Sequence, residues 1–389
     1  MGTDSKDDGI VEAPTGGAGG APPTNGAAAA KRLASVDALR GFDMFWIIGG
    51  RELLLAVVAL FVTPVPAWLN GQLEHPPWGQ PFAAWDLIMP LFLFISGVAM
   101  PFSMPKWQSS GGKRGFYLRL ARRIVILWIL GMAIQGSLLD WDMEKLRLYS
   151  NTLQAIAAGY LIATIFMLTL SVRAQVAATA ALLLGYWGLL AFIPVPGHGA
   201  GSLDPWNNAA KYVDTLVLGH FSDTWMYAWV LPSLGFGATV MMGVFGGFVL
   251  CGKMSENRKT LNLIALGAGC LATAWLWSIW FPMIKYIWTS SMNLWAGGWC
   301  FLLLAAFYWV IDARGWRRWA FPLLVIGTNA IAVYVSAHLF DFHLISDIFI
   351  GKLVPRLGSV GGLLSAFAAV LVPWLILLYM YRKKTFIRL

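Results

Sequence analysis

Two side chains of this sequence could do acid–base chemistry together: His75 and, eleven positions on, Asp86. An imidazole titrates near neutral pH. A carboxylate that accepts from its Nδ1–H holds the ring in one orientation and stabilises the imidazolium, a pairing suited to acyl transfer. Pro76, Pro77 and Pro81 lie between the two, so helical counting cannot give their distance, and Asp86 could equally be an acid at the start of a helix. An apolar run of membrane-spanning length begins at Trp85 and Asp86, which puts the histidine at a membrane mouth.

Further charges lie inside or beside apolar runs. Asp37, Arg40 and Asp43 recur every three residues and are expected to neutralise one another on one helical face. Arg51 and Glu52 lie deeper, Arg51 about 16 Å beyond Arg40 at helical rise. Charges at that depth face a partner or a wet cavity, which leaves two readings, a cavity lining or a structural ion pair. Arg119, Arg122 and Arg123 open another apolar run. They suit either the cytoplasmic rim of a span or the phosphates of a nucleotide-type ligand.

The elements that carry these groups follow from composition. Of 389 residues, 58% are hydrophobic and 12% charged, about half the charged share of a soluble domain. The apolar runs are continuous, so the fold class is all-α, a polytopic membrane protein with about ten transmembrane helices in one bundle. The spans are expected near 39–62, 82–104, 117–138, 151–171, 174–193, 230–252, 260–281, 292–312, 319–339 and 361–381. Residues 1–32, Gly/Ala-rich with no apolar run, read as a disordered cytoplasmic tail, and 33–389 as the transmembrane domain.

With the N-terminus inside, twenty lysines and arginines fall in inside connections. Six fall outside: Lys145, Arg147, Lys211, Lys285, Lys352 and Arg356. That bias puts both termini in the cytoplasm and absorbs most of the net charge of +9, so no nucleic-acid partner is inferred. All five histidines, His75, His198, His220, His338 and His343, then belong to the extracytoplasmic side. The long outer connection, about 194–229, reads as a substrate-facing lid or a packed cap. Trp78 and Trp206 could offer ring faces to a sugar, while Gly243 and Gly247 form a G-x-x-x-G pattern suited to close helix packing. The three cysteines, Cys251, Cys270 and Cys300, lie in or at the ends of apolar runs and suggest no disulfide and no metal site.

The opening RLASVDALRGFDMFW (32–46), His75-Pro76-Pro77-Trp78 followed by WDLIMPLFLFISG (85–97), NTLQAIAAGYL (151–161), YVDTLVLG (212–219), IGTNAIAVYVSAH (326–338) and the closing YRKKTFIRL (381–389) occur in that order. In order and spacing they resemble the heparan-α-glucosaminide N-acetyltransferase family and its bacterial membrane relatives. The resemblance covers nearly everything after residue 32. It implies an enzyme of the bacterial inner membrane that takes acetyl-CoA as co-substrate from the cytoplasm and acetylates the amine of a glucosamine-type sugar on the far side. It maps the family's essential histidine to His75 and the following Trp to Trp78. The family's Asp and Pro map to Asp86 and Pro90, its loop Asp to Asp214, and its ninth-span Asn and His to Asn329 and His338. Two departures bear on the acceptor: Arg51 stands where the family has an Asn, and SDTWMYAWVLP (222–232) replaces an acidic stretch.

The expected roles follow. His75 is the general base or the acetyl carrier, with Asp86 as its partner. Trp78, Arg51, Glu52, Asp214, Asn329 and His338 bind substrate, Asn329, His338 or Arg51 being able to serve an oxyanion. Arg119, Arg122 and Arg123 hold the phosphates of CoA. The rivals are a sugar or amino-sugar permease, which gives His75 no task, and an O-acyltransferase acting on an envelope glycan. The lipid bilayer and the sugar or glycan acceptor are the expected partners; a homodimer is permitted by the sequence and not required.

Overall fold

The computed structural model describes residues 33–109 and 112–387, and the expected disordered tail, residues 1–32, lies outside them. Among the described residues every named element is helical. The first helices are α1 (Ala34–Phe45), α2 (Arg51–Ala59), α3 (Ala67–Gln72), α4 (Ile88–Val98), α5 (Met100–Ser109), α6 (Gly112–Gln135), α7 (Thr152–Thr169) and α8 (Val172–Phe192). They are followed by α9 (Ala209–Leu218), α10 (Ser233–Cys251), α11 (Glu256–Ser278), α12 (Ser290–Tyr308), α13 (Phe321–Gly327), α14 (Ala330–Leu339), α15 (Phe342–Ile350) and α16 (Ser359–Arg382).

Among the described residues seven stretches are long and apolar enough to cross a membrane: Ala84–Met104, Thr152–Thr169, Val172–Phe192, Ser233–Cys251, Glu256–Ser278, Ser290–Ala313 and Val360–Arg382. The bent pair α13 and α14, at 76° to each other, makes an eighth when counted as one span. The expected windows 39–62 and 117–138 also hold helices, but these carry Asp37, Arg40, Asp43, Arg51 and Glu52, or Arg119, Arg122 and Arg123. By length and apolarity seven to eight spans therefore qualify among the described residues, and the expected count of ten is not confirmed. The outward faces have no protein partner and are apolar: Val125 and Ile129 on α6, Leu184 on α8, Leu261 and Trp275 on α11, Leu375 and Ile376 on α16 are all exposed. A helix apolar on its unpartnered face has lipid as its solvent, and the chain is an integral membrane protein.

Local sequence explains the helix boundaries that matter for the site. Asn151 caps α7 by accepting from Leu153 N at 2.7 Å, and Gln154 Oε1 accepts from the amides of Ser150 and Asn151, a reciprocal capping box. Asn208 caps α9 through Lys211 N at 2.9 Å. The first apolar run is not one straight helix. Gly49, at φ 123°, takes a conformation side chains rarely adopt and breaks the helix just before Arg51.

The helical run Ala84–Met104, which carries Asp86 and includes α4, is seated by glycine. A Cβ on Gly97 of α4 would lie 2.0 Å from Val240 O, and one on Gly243 of α10 would lie 2.0 Å from Phe94 O. Gly247, the second residue of the expected packing motif, meets Val98 O in the same way at 2.6 Å. The two backbones thus touch directly, as small residues allow between membrane helices. The charge ladder on α1 is corrected. Asp37 pairs with Arg40 at 3.1 Å, but Asp43 is buried and neither of its carboxyl oxygens has a hydrogen-bond partner among the described residues. Two three-residue steps rotate a side chain by about 120° round a helix, so Asp43 leaves the face that Asp37 occupies.

Gly243→Val is expected to lower the stability of the detergent-solubilised protein by about 1–3 kcal/mol, the usual cost of overpacking. Thermal unfolding with a size-exclusion readout checks it; an unchanged midpoint would mean that α4 and α10 are not held at this distance.

Candidate active site

Four connections interlock at the end of the bundle that carries His75. Trp78 Nε1 donates to Leu203 O at 3.0 Å, Tyr286 OH to Pro76 O at 3.0 Å, Ala228 N to Tyr286 O at 3.1 Å, and Leu148 N to Phe221 O at 3.2 Å. The proline-rich turn after His75 is thereby fixed to the connections before α9 and before α12. His75 Nδ1 lies 3.0 Å from Asp86 Oδ1, so the geometry selects the pairing role for Asp86. The same oxygen is 3.1 Å from Lys285 Nζ, which is itself 3.0 Å from His75 Nδ1. Asp86 Oδ2 accepts from Ala83 N at 3.3 Å, which fixes the start of the helical run.

The accessibility of the three side chains divides their labour. His75 is 44% exposed, while Asp86 at 2% and Lys285 at 8% are shut inside. The imidazole can meet a ligand at its outer edge, and the charged pair behind it cannot. Lys285 was visible in the sequence only as one of the six lysines and arginines expected outside. The available signal was its setting, a single cation in the apolar and aromatic stretch from Phe281 to Trp288. Burial pulls its ammonium below the usual lysine range, and Asp86 pulls it back up.

Arg51 serves this site through the backbone. Its Nε donates to Leu73 O at 2.8 Å, and its guanidinium pairs with Glu74 at 2.7 Å and, more loosely, with Glu52 at 3.5 Å. The guanidinium also stands 6.0 Å from the ring of Trp85. The break at Gly49 comes just before Arg51, whose guanidinium is bonded to the chain just before His75 and is partly exposed.

The remaining expected ligands are dispersed. One face of Trp78 is taken by Tyr286, stacked at 5.4 Å and 19°, so at most one face is left for a sugar. Asp214 is fully buried, and its two oxygens accept from the amides of Trp229 and Val230, each at 2.8 Å. Burial pushes its carboxyl up to about 7 against the pull of those amides and of Lys211. Lys211 Nζ in turn donates to the carbonyls of Asp223, Trp225 and Tyr227. This network makes the 194–229 connection a packed cap, and Asp214 holds the cap together. Asn329 is buried at the break between α13 and α14, bonded to Thr385 O and Ile387 N of the C-terminal segment. His338 is exposed and donates from Nδ1 to Tyr334 O at 2.8 Å, one helical turn back. Neither Asn329 nor His338 touches the His75 cluster, because the bend in the ninth expected span redirects both.

A second polar region lies inside the bundle between α6 and α7. Arg123 stacks its guanidinium on Tyr160 at 4.2 Å, and Arg119 lies one turn away on the same face. Arg122 is exposed and leaves that face, so the three arginines do not act as one group. Arg123 Nε, Tyr160 OH and Thr164 Oγ1 are buried without a hydrogen-bond partner among the described residues. Tyr160 and Thr164 are one turn apart on α7. Buried donors of this kind fit an anionic, hydrogen-bonding ligand. Among the described residues no group of three or more His, Cys, Asp or Glu could hold a metal.

A helical integral membrane protein with a partly exposed His on a buried Asp–Lys pair is thus defined. The chain is 25% identical over 373 residues to heparan-alpha-glucosaminide N-acetyltransferase of Homo sapiens, a match covering 80% of this chain. The chain is thus similar to that N-acetyltransferase over most of its own length. The chain spans about half the length of this curated relative, 53% of it. No family model matches.

If Arg51 positions the His75 loop, Arg51→Met should raise amide hydrogen exchange over residues 73–78 by about tenfold, a local opening eased by roughly 1.4 kcal/mol. Hydrogen exchange with mass spectrometry reads this directly; unchanged protection would reduce Arg51 to a surface charge.

Proposed function

We propose that this chain is a transmembrane acetyltransferase of the bacterial inner membrane, moving an acetyl group from cytoplasmic acetyl-CoA to the amine of a glucosamine-type sugar at the extracytoplasmic face. The observation that carries the reading is the His75–Asp86 contact at 3.0 Å, with the imidazole exposed and its partner buried. The family-level similarity supports the reaction class.

An amine that attacks a thioester must lose a proton as the C–N bond forms. His75, held through Nδ1 by Asp86, presents Nε2 to take it. As the C–S bond breaks, the thiolate leaves and the imidazolium can return the proton to sulfur, so that amine and thioester become amide and thiol. In a two-step route Nε2 would itself carry the acetyl group. Asp86 stabilises the positive ring in either route.

Arg119 and Arg123 would hold phosphates of CoA from the other side, with Tyr160 and Thr164 offering further hydrogen bonds. Arg123 lies twelve residues from Gln135, about 18 Å along α6. A basic group sunk that far shortens the distance an extended pantetheine arm must cover in a bilayer core about 30 Å thick.

With purified protein in detergent, acetyl-labelled CoA and glucosamine, the parent is expected to form N-acetylglucosamine, and His75→Ala to be slower by about 10²–10⁴-fold, the usual share of a general base. A hydroxylamine-labile product would shift the reading to O-acylation. Uptake of unaltered glucosamine into vesicles by both proteins, with no labelled product, would replace it with a permease.

A further inference from the structure

The contact between His75 and Asp86 has two proton arrangements. With Asp86 as a carboxylate, Nδ1–H donates to it and Nε2 presents a lone pair. With Asp86 protonated, its O–H must point to Nδ1, because its other neighbours, the Ala83 amide and the Lys285 ammonium, are donors without acceptors. Nε2 would then carry the hydrogen and could not act as a base. The choice between base and non-base therefore rests on what keeps Asp86 ionised.

Lys285 is the positive charge in contact with that carboxyl, at 3.1 Å. A carboxylate as enclosed as Asp86 persists only beside a counter-charge or strong donors, since desolvation favours the neutral acid. Two donors converging on one carboxylate oxygen also account for the 3.0 Å between Lys285 Nζ and His75 Nδ1. Other groups around the ring act less directly. Glu74 is neutralised by Arg51 at 2.7 Å, Tyr286 donates to Pro76 O, and Tyr227 stacks near Tyr286 at 4.9 Å.

We propose that Lys285 is the positioning residue that makes Asp86 an acceptor for His75 Nδ1–H and so sets the reactive lone pair of His75 on Nε2. The inference rests on the reading of His75 as base or acetyl carrier, and extends it to a residue that the sequence motifs did not include.

Diethyl pyrocarbonate modifies an unprotonated imidazole nitrogen, and with Nδ1 covered by Asp86 and Lys285 it reads the Nε2 lone pair. The rate of His75 carbethoxylation, measured by peptide mass spectrometry on the full chain in detergent, is expected to fall about fivefold in Lys285→Met, the size of one net hydrogen bond, and to stay near parent in Lys285→Arg. Parent-like labelling in Lys285→Met would make Lys285 a purely structural charge. Faster labelling would mean that Lys285 donates to Nδ1 and holds the hydrogen on Nε2; either result overturns the proposal.

Should Lys285→Met fail to fold, the nitrogen NMR shifts of the neutral His75 imidazole in the parent and in Lys285→Arg decide. Both are expected to carry the hydrogen on Nδ1 and leave Nε2 bare. A hydrogen on Nε2 of the parent would overturn the proposal. If the parent transfers no label from acetyl-CoA, the acetyltransferase reading falls, yet the carbethoxylation rates still decide the role of Lys285.

Discussion

A carboxylate and an ammonium enclosed together at the end of an apolar bundle are the constraint on which the rest of this structure depends. Neither Asp86 nor Lys285 reaches solvent, and each alone would cost several kcal/mol to enclose. Burying such a pair is acceptable only where the geometry is fixed. Most of the packing at the His75 end serves that fixing. The helix start is held by the Ala83 amide on Asp86, and the connection bearing Lys285 is held by Tyr286 on Pro76. His75 stays half-exposed because the pair behind it fills the space that would otherwise admit the ring.

The fixing extends from the site into the bundle. The helical run that carries Asp86 cannot slide along α10, since Gly97 and Gly243 bring backbone against backbone at that crossing. On the other flank the cap over residues 194–229 is tied by Lys211 and Asp214, whose partners are main-chain atoms of the segment leading into α10. The run that carries Asp86 and the cap are therefore braced against the same helix, and the connection bearing Lys285 is tied to the cap where Ala228 N donates to Tyr286 O.

How much of this was legible in the sequence differs by kind of feature. Apolar runs report their solvent directly, so the helical membrane class and the approximate windows were readable. The count was less so, because α1, α2 and α6 carry charges within their apolar runs. The pairing of His75 with Asp86 was readable as one of two alternatives, and the prolines between them hid the distance. Lys285 could not be assigned, since nothing local joins it to residue 75. Roles carried over by resemblance fared unevenly. Asp214 and Asn329 are enclosed by backbone partners in this structure, and Trp78 gives one face to Tyr286. Resemblance identifies positions, whereas a binding role requires an atom left free to bind.

That criterion separates the two polar regions and gives each a different capacity. At the His75 end the hydrogen-bonding groups are almost all satisfied within the protein, and the outer edge of one imidazole remains accessible. Such a site supplies little binding and one well-placed proton acceptor. Between α6 and α7 the reverse holds, where Arg123, Tyr160 and Thr164 keep buried polar atoms without hydrogen-bond partners among the described residues, at a cost that a ligand would remove. A group-transfer protein that draws donor and acceptor from opposite faces needs this asymmetry. Binding strength belongs where the large donor enters, and the reacting end must hold its product weakly enough to release it.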